Sequence, residues 1–110
     1  MQIASRISDG FTIFDISGDI DLAHSPQMRK ALLGEIKEKK VPKVFLNLKN
    51  VRYIDSSGIA SLVEGLKASR DAGSRLILYS LSNSVREVMQ LSRLQKIFEI
   101  FEDEQQALGS

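Results

Sequence analysis

Apolar and polar positions repeat along this chain with two different periods, and the switches between them divide it into elements. Ile3 to Ile7 and Phe11 to Ile16 read as two strands joined at Asp9-Gly10, a strong hairpin signal. Met28, Ala31, Leu32 and Ile36 then recur at helical spacing. Ser25 is the expected N-cap of that helix, with Pro26 in its first turn, and Pro42 bars its continuation. Val44-Phe45-Leu46-Asn47-Leu48 reads as a buried strand. Ile59, Leu62, Val63 and Leu66 mark one face of a helix running to about Ala72, where Gly73 is the expected stop. Leu76 to Tyr79 has the nearly continuous apolar run of a strand covered on both faces. Ser84 with Glu87 fits a capping box ahead of Val85, Val88 and Met89. Ile97 to Phe101 reads as a last short strand, and Asp103 to Leu108 as a short terminal helix expected to fray.

Strand–helix alternation from residue 43 onward implies parallel strands joined by helical crossovers, and the opening hairpin makes the sheet mixed. The expected architecture is α/β: one domain over residues 1–110, with no repeat, low-complexity segment or linker. Phe98 and Phe101, with Met89, Leu91 and Leu94, are read as core, because a chain this short needs its aromatics inside.

Composition narrows the function classes. Fifteen basic against fourteen acidic residues give a net charge of +1, too balanced for a dedicated nucleic-acid binder. The densest basic cluster, Lys37-Glu38-Lys39-Lys40, falls at a helix end, where cations complement the dipole. No apolar run approaches the roughly 20 residues of a membrane span, and the first residues lack a signal-peptide core. A cytoplasmic protein without membrane insertion is expected. With no cysteine, thiolate metal sites, disulfides and cysteine nucleophiles are excluded, and one histidine, His24, offers little to a transition metal.

Candidate chemistry concentrates in Val51-Arg52-Tyr53-Ile54-Asp55-Ser56-Ser57-Gly58, where a strand, a short loop and a helix start are compressed around two adjacent hydroxyls. Asp55 or Ser56 is positioned to cap the helix. The first free amides of a helix favour an oxyanion, so Ser56 stands where a phosphate could be held, gained or lost. Gly58 removes a side chain from the first turn, which would let another molecule approach the backbone. A phosphoryl group on Ser56 would add about −1.5 to −2 charge units, repelled by the neighbouring Asp55 carboxylate. It would spoil a docking surface without refolding the domain.

The wider pattern resembles the anti-sigma factor antagonists, the small single-domain members of the STAS family. The resemblance rests on Leu46-Asn47-Leu48, the segment Val51 to Ile59, and Asp71-Ala72-Gly73 before a strand. It includes Gly18-Asp19-Ile20-Asp21 after the second strand, Ser84-Val85-Arg86 opening a helix, and Leu91-Ser92-Arg93-Leu94 at its end. Together these span about residues 11–101 in the family's order. The resemblance implies a small mixed sheet of four to five strands with about four helices, largely on one face. It also implies partner switching. The unmodified antagonist binds a serine kinase of the histidine-kinase-like ATPase type that doubles as an anti-sigma factor, phosphorylation breaks the complex, and a metal-dependent PP2C-like serine phosphatase restores it. Carried onto this chain, Ser56 is the phosphoacceptor, Asp55, Ser57 and Gly58 shape the loop, and Asp21 matches the acidic residue of the neighbouring loop. Asp19 beside it has a weaker claim. No cofactor is implied for the chain itself, since the phosphoryl donor and its Mg²⁺ belong to the kinase.

Ala60 departs from that pattern, standing where antagonists usually carry a second glycine, and should favour the helix by roughly 1 kcal/mol. Asp-Ser-Ser-Gly-Ile-Ala is also similar to STAS subunits associated with membrane transporters, which gives the alternative of a constitutive scaffold without a phosphorylation cycle. A serine hydrolase would use Ser56 or Ser57 with His24 as base and Asp19 or Asp21 as orienter, but no Gly-x-Ser-x-Gly elbow is present. Asp19 and Asp21 share a face of an extended segment, so a paired-carboxylate Mg²⁺ site is a further alternative, set against a recognition edge beside Ser56. The glycines assemble into no nucleotide-binding loop.

Overall fold

A hairpin starts the fold. In the computed structural model, which describes residues 1–110, β1 (Gln2–Ser8) returns as β2 (Phe11–Ile20) through a two-residue turn. Both turn residues have positive φ, 52° at Asp9 and 81° at Gly10, the combination that matches the twist of paired strands. Helix α1 (Ser25–Leu33) follows and runs on through a π-helical turn, Gly34–Glu38. Strand β3 (Lys43–Ile54), helix α2 (Ser56–Ala72), β4 (Arg75–Tyr79), α3 (Asn83–Leu91), β5 (Glu99–Phe101) and α4 (Glu104–Leu108) complete the chain.

The five strands lie in sequence order. Only β1–β2 is antiparallel; β2–β3, β3–β4 and β4–β5 are parallel. The parallel register therefore begins one strand earlier than the sequence alternation implied, with α1 as the first crossover. Shifts at Asp15/Ser17 and Gly18/Asp19 interrupt the β2–β3 ladder close to the end that carries the Ser56 site.

Two cores flank the sheet. On one face, Met28, Leu32 and Ile36 from the first helix, Leu62 and Leu66 from α2, and Val85 and Met89 from α3 bury against Phe14, Ile16, Val44, Leu46, Leu48, Leu76 and Leu78. The other face is smaller, with Ile13, Phe45, Ile77 and Tyr79 roofed by Ala107 of α4. Alternation along β2, β3 and β4 sends successive side chains to opposite cores. Phe98 and Met89 are core, as expected, and Phe101 packs on the smaller cluster. Leu91 is not core: it ends α3 on the solvent side.

Several expected details move. The cap of α1 is His24 rather than Ser25, and its side chain makes no capping bond. Instead the Asp21 carbonyl accepts the amides of His24 (3.1 Å) and Ser25 (2.7 Å), while Ser25 is buried in the first turn. The cap of α3 is Ser82, whose hydroxyl accepts from the Val85 amide, two residues ahead of the expected Ser84. Gly73 ends α2 in the left-handed conformation, φ 70°, as its reading as a stop requires. The terminal helix, expected to fray, is pinned. Asp103 caps it, and Glu104 accepts hydrogen bonds from Arg6 (2.6 Å) and the Tyr79 hydroxyl (2.5 Å).

Candidate functional site

The site begins with a junction of one residue. Strand β3 runs to Ile54, α2 starts at Ser56, and only Asp55 lies between them, so the short loop read from sequence is a single extended residue. Asp55 is the N-cap. Its Oδ1 accepts from the amides of Ser57 (3.0 Å) and Gly58 (3.1 Å) and from the Ser57 hydroxyl (2.6 Å). Its Oδ2 accepts from the Leu22 amide at 3.2 Å, which ties the β2–α1 loop to the start of α2. These donors hold the Asp55 carboxyl below its ordinary range, the Ser57 hydroxyl contributing most.

That clasp separates the two serines. The Ser57 hydroxyl is half-buried and committed to Asp55, whereas Ser56 is exposed and its hydroxyl makes no hydrogen bond. Three of the first four helix amides are committed too. Those of Ser57 and Gly58 point at the Asp55 carboxylate and that of Ile59 bonds the Asp55 carbonyl (3.0 Å), so they do not form the open oxyanion seat that the sequence suggested. A group attached to Ser56 projects outward. Gly58 also differs from its expected role, for it is buried and faces inward. A Cβ there would lie 2.6 Å from the Ile20 carbonyl and 2.7 Å from Ile54 Cγ1, so the missing side chain admits β2 and β3, not a visitor.

The two acidic candidates of the neighbouring segment diverge. Asp19 lies at the end of β2 and makes a bidentate pair with Arg52 of β3, both bonds at 2.9 Å, which lowers the pKa of the Asp19 carboxyl. Asp21 instead accepts from the His24 amide (3.1 Å) and pairs with the His24 ring at Nδ1 (2.6 Å). The two carboxylates thus serve different partners, and the paired-carboxylate reading fails on geometry. No three acidic or imidazole groups converge as a metal site. His24 bonds Asp21 and no serine hydroxyl, so the nucleophile–base contact of a hydrolase is missing.

Sequence reasoning missed the apolar rim. Leu22 is 75% exposed and Tyr53 51% exposed, and they flank Ser56 from the clasped loop and the end of β3. Large apolar side chains left in water beside a free hydroxyl make this end of the sheet a candidate docking surface. The exposed methyl of Ala60 belongs to the same first turns of α2. The signal for Tyr53 lay in Val51-Arg52-Tyr53-Ile54, where Val51 and Ile54 are buried and the two residues between them are not.

The fold is shared with known proteins. The sequence model of the STAS domain family matches residues 2–107, and the chain belongs to that family. Among curated relatives, an anti-sigma-B factor antagonist of Listeria monocytogenes is 32% identical over 101 residues, covering 91% of this chain and 86% of its own. A crystal structure from Thermotoga maritima superposes with a TM-score of 0.90 at 25% identity, covering 97% of this chain and 92% of that one. The antagonist SpoIIAA of Bacillus, solved in its phosphorylated form, shares the fold at TM-score 0.76 and 20% identity, with 98% of this chain and 97% of that one covered. SpoIIAA has also been solved unphosphorylated, and that structure gives a TM-score of 0.74.

Proposed function

We propose that this chain is an anti-sigma factor antagonist that works as a phosphorylation-controlled partner switch and catalyses no reaction itself. In its unmodified form it docks a serine kinase of the histidine-kinase-like ATPase type, which doubles as the anti-sigma factor, through Leu22, Tyr53 and the first turns of α2. Phosphorylation of Ser56 places charge in the middle of that rim and releases the partner. A PP2C-like phosphatase resets it. One observation carries the reading: of the two adjacent hydroxyls, Ser56 alone is exposed and unbonded, while Ser57 is spent on the Asp55 clasp. The relatives' function and the existence of SpoIIAA in both modification states support it. The absence of any membrane-length apolar helix is compatible with it.

The test is intact-mass and binding analysis with candidate kinases in ATP and Mg²⁺. A phosphate gain abolished by Ser56→Ala but not by Ser57→Ala, with release of the kinase from the wild type, is the expected result. Modification at Ser57 instead would overturn the site. The rival reading, a constitutive scaffold of the transporter-associated kind, draws on the exposed Ala60. It predicts that Ser56→Ala and Ser56→Asp bind a partner equally.

A further inference from the structure

The two edges of the sheet are finished differently. Strand β5 is three residues long and carries the Arg75–Glu99 ion pair (2.6 Å) across to β4, so it offers little backbone to a visitor. Strand β1 is seven residues long, unbulged and free of proline and lysine. Its one charge, Arg6, is turned onto the α4 face, where it is neutralised by Asp15 and Glu104. Natural sheets blunt edges with short strands, bulges, prolines or charges, and of these β1 carries only Arg6, already paired.

From these features we infer that β1 is a self-association edge, pairing antiparallel with β1 of a second copy about a two-fold axis at Ser5. The two-residue turn closes on the Ser8–Phe11 pair. Gln2, Ala4, Arg6 and Ser8 therefore turn their backbone groups toward β2, and those of Ile3, Ser5 and Ile7 point outward. A dyad at Ser5 sets Ile3 opposite the partner's Ile7, Ser5 opposite Ser5, and Ile7 opposite the partner's Ile3. Every outward donor then meets an outward acceptor. On the helix-bearing face the same register brings apolar Ile3 and Ile7 together twice, and Ile7, 80% exposed in the single chain, gains a partner. On the other face Ala4 meets the partner's Arg6, and Gln2 its Ser8, so no like charges oppose. An open groove of about 430 Å³ between β1 and α1, lined by Ser5, Phe14, Ala31 and Gly34 among others, leaves room beside the new seam.

Such a contact is isologous and closes at two copies. The axis stands normal to the sheet. Met1 and Gln2 lie beside Ser17 and Gly18, at the end of the sheet that bears Ser56, so the dyad sends the two Ser56 rims to opposite ends of one continuous sheet. Each stays open, and the assembly is bivalent for whatever binds there. This inference does not depend on the function proposed above.

Sedimentation equilibrium of the full chain is the test, carried to about 1 mM because an edge-only contact falls in the small, transient class. The weight-average mass should rise reversibly from 12.3 kDa and level off at twice that value. Ser5→Pro, which removes an outward amide at a position an edge strand tolerates, should hold the chain at monomer mass with an unchanged circular dichroism spectrum. Ile7→Lys should do the same without touching the backbone. The register is read by disulfide formation, since the chain has no cysteine of its own. Ser5→Cys lies on the axis at a Cα separation of about 5.5 Å and should cross-link under mild oxidation, whereas Ala4→Cys should not. A wild type that stays monomeric to 1 mM overturns the inference, as does a mass that grows past the dimer. So does cross-linking through Ala4→Cys alone.

Discussion

Two carboxylates clasp this fold, and they do so by opposite means. Asp55 takes its donors from the backbone of its own neighbours and from one loop amide, so the clasp is local. Glu104 takes side-chain donors from Arg6 and Tyr79, residues far away in sequence, and Arg6 reaches Asp15 as well, which also accepts from Asn47 at 2.9 Å. The difference lies in what is left over. The Glu104 cluster consumes the polar groups it gathers, and burial together with the Glu104 carboxylate pushes the Tyr79 hydroxyl's pKa up. The Asp55 clasp consumes amides and one hydroxyl and leaves the adjacent hydroxyl idle. A satisfied cluster holds elements together, and an idle group beside a satisfied one is available to a partner.

That contrast can be broken most forcefully where the Asp55 end is packed. Gly58→Val should cost about 3 kcal/mol, because even its Cβ would meet the Ile20 carbonyl and Ile54 closer than 3 Å. A urea midpoint reads this, and an unchanged midpoint would show that α2 does not depend on that approach. Asp55→Ala should cost about 1–2 kcal/mol as a lost cap and also free the Leu22 loop, seen as faster hydrogen exchange at the Leu22 amide. Glu104→Gln should cost under about 1 kcal/mol, since its pair with Arg6 is substantially exposed. Added salt should shrink that loss but leave the Asp55→Ala loss unchanged. Smallest of all, Ser56→Ala should leave stability within about 0.5 kcal/mol while removing any modification at that position.

Acid separates the clasps in the same order of cause. Both carboxyls are held below their ordinary values, 3.8 for Asp55 and 4.5 for Glu104. Each therefore contributes stability that is fully present above its ordinary value and is lost as pH falls through the depressed one. The stability profile should be flat for both clasps from neutrality to about pH 5 and fall below about pH 4. Ser57→Ala, which removes the largest cause at Asp55, should flatten the part of that fall owed to Asp55. It should leave the Glu104 part, owed mainly to Arg6, in place.

Locality also explains what could be read in advance. Asp9-Gly10, a cap at Asp55 or Ser56 and Gly73 as a stop are decisions made within three or four residues, and each stands in the structure, the cap falling on Asp55. The order of elements along the chain followed from periodicity, and the helix-bearing face from the family resemblance, whereas the order of strands across the sheet was not read. The caps at Ser25 and Ser84 were misplaced because the helices begin one and two residues earlier, after His24 and Ser82, and spacing alone does not rank neighbouring candidates. Arg52 with Asp19, and Arg6 with Asp15 and Glu104, join residues whose proximity is set by strand register, which no local pattern encodes. Tyr53 and Leu22 look apolar in sequence and are wet in the fold, Tyr53 between the buried Val51 and Ile54 near the end of β3 and Leu22 in the loop that follows β2.

The idle hydroxyl of Ser56 has a consequence for how long the molecule persists in a cell. Since that oxygen holds no internal bond, attaching a group to it breaks no hydrogen bond of the fold, and the repulsion it adds at Asp55 falls on solvent-screened surface groups. Modified and unmodified chains should then unfold at similar rates and be offered to proteases equally often. Under the function proposed above, the proportion of the two forms would be set by the kinase and phosphatase, with no bias from selective turnover.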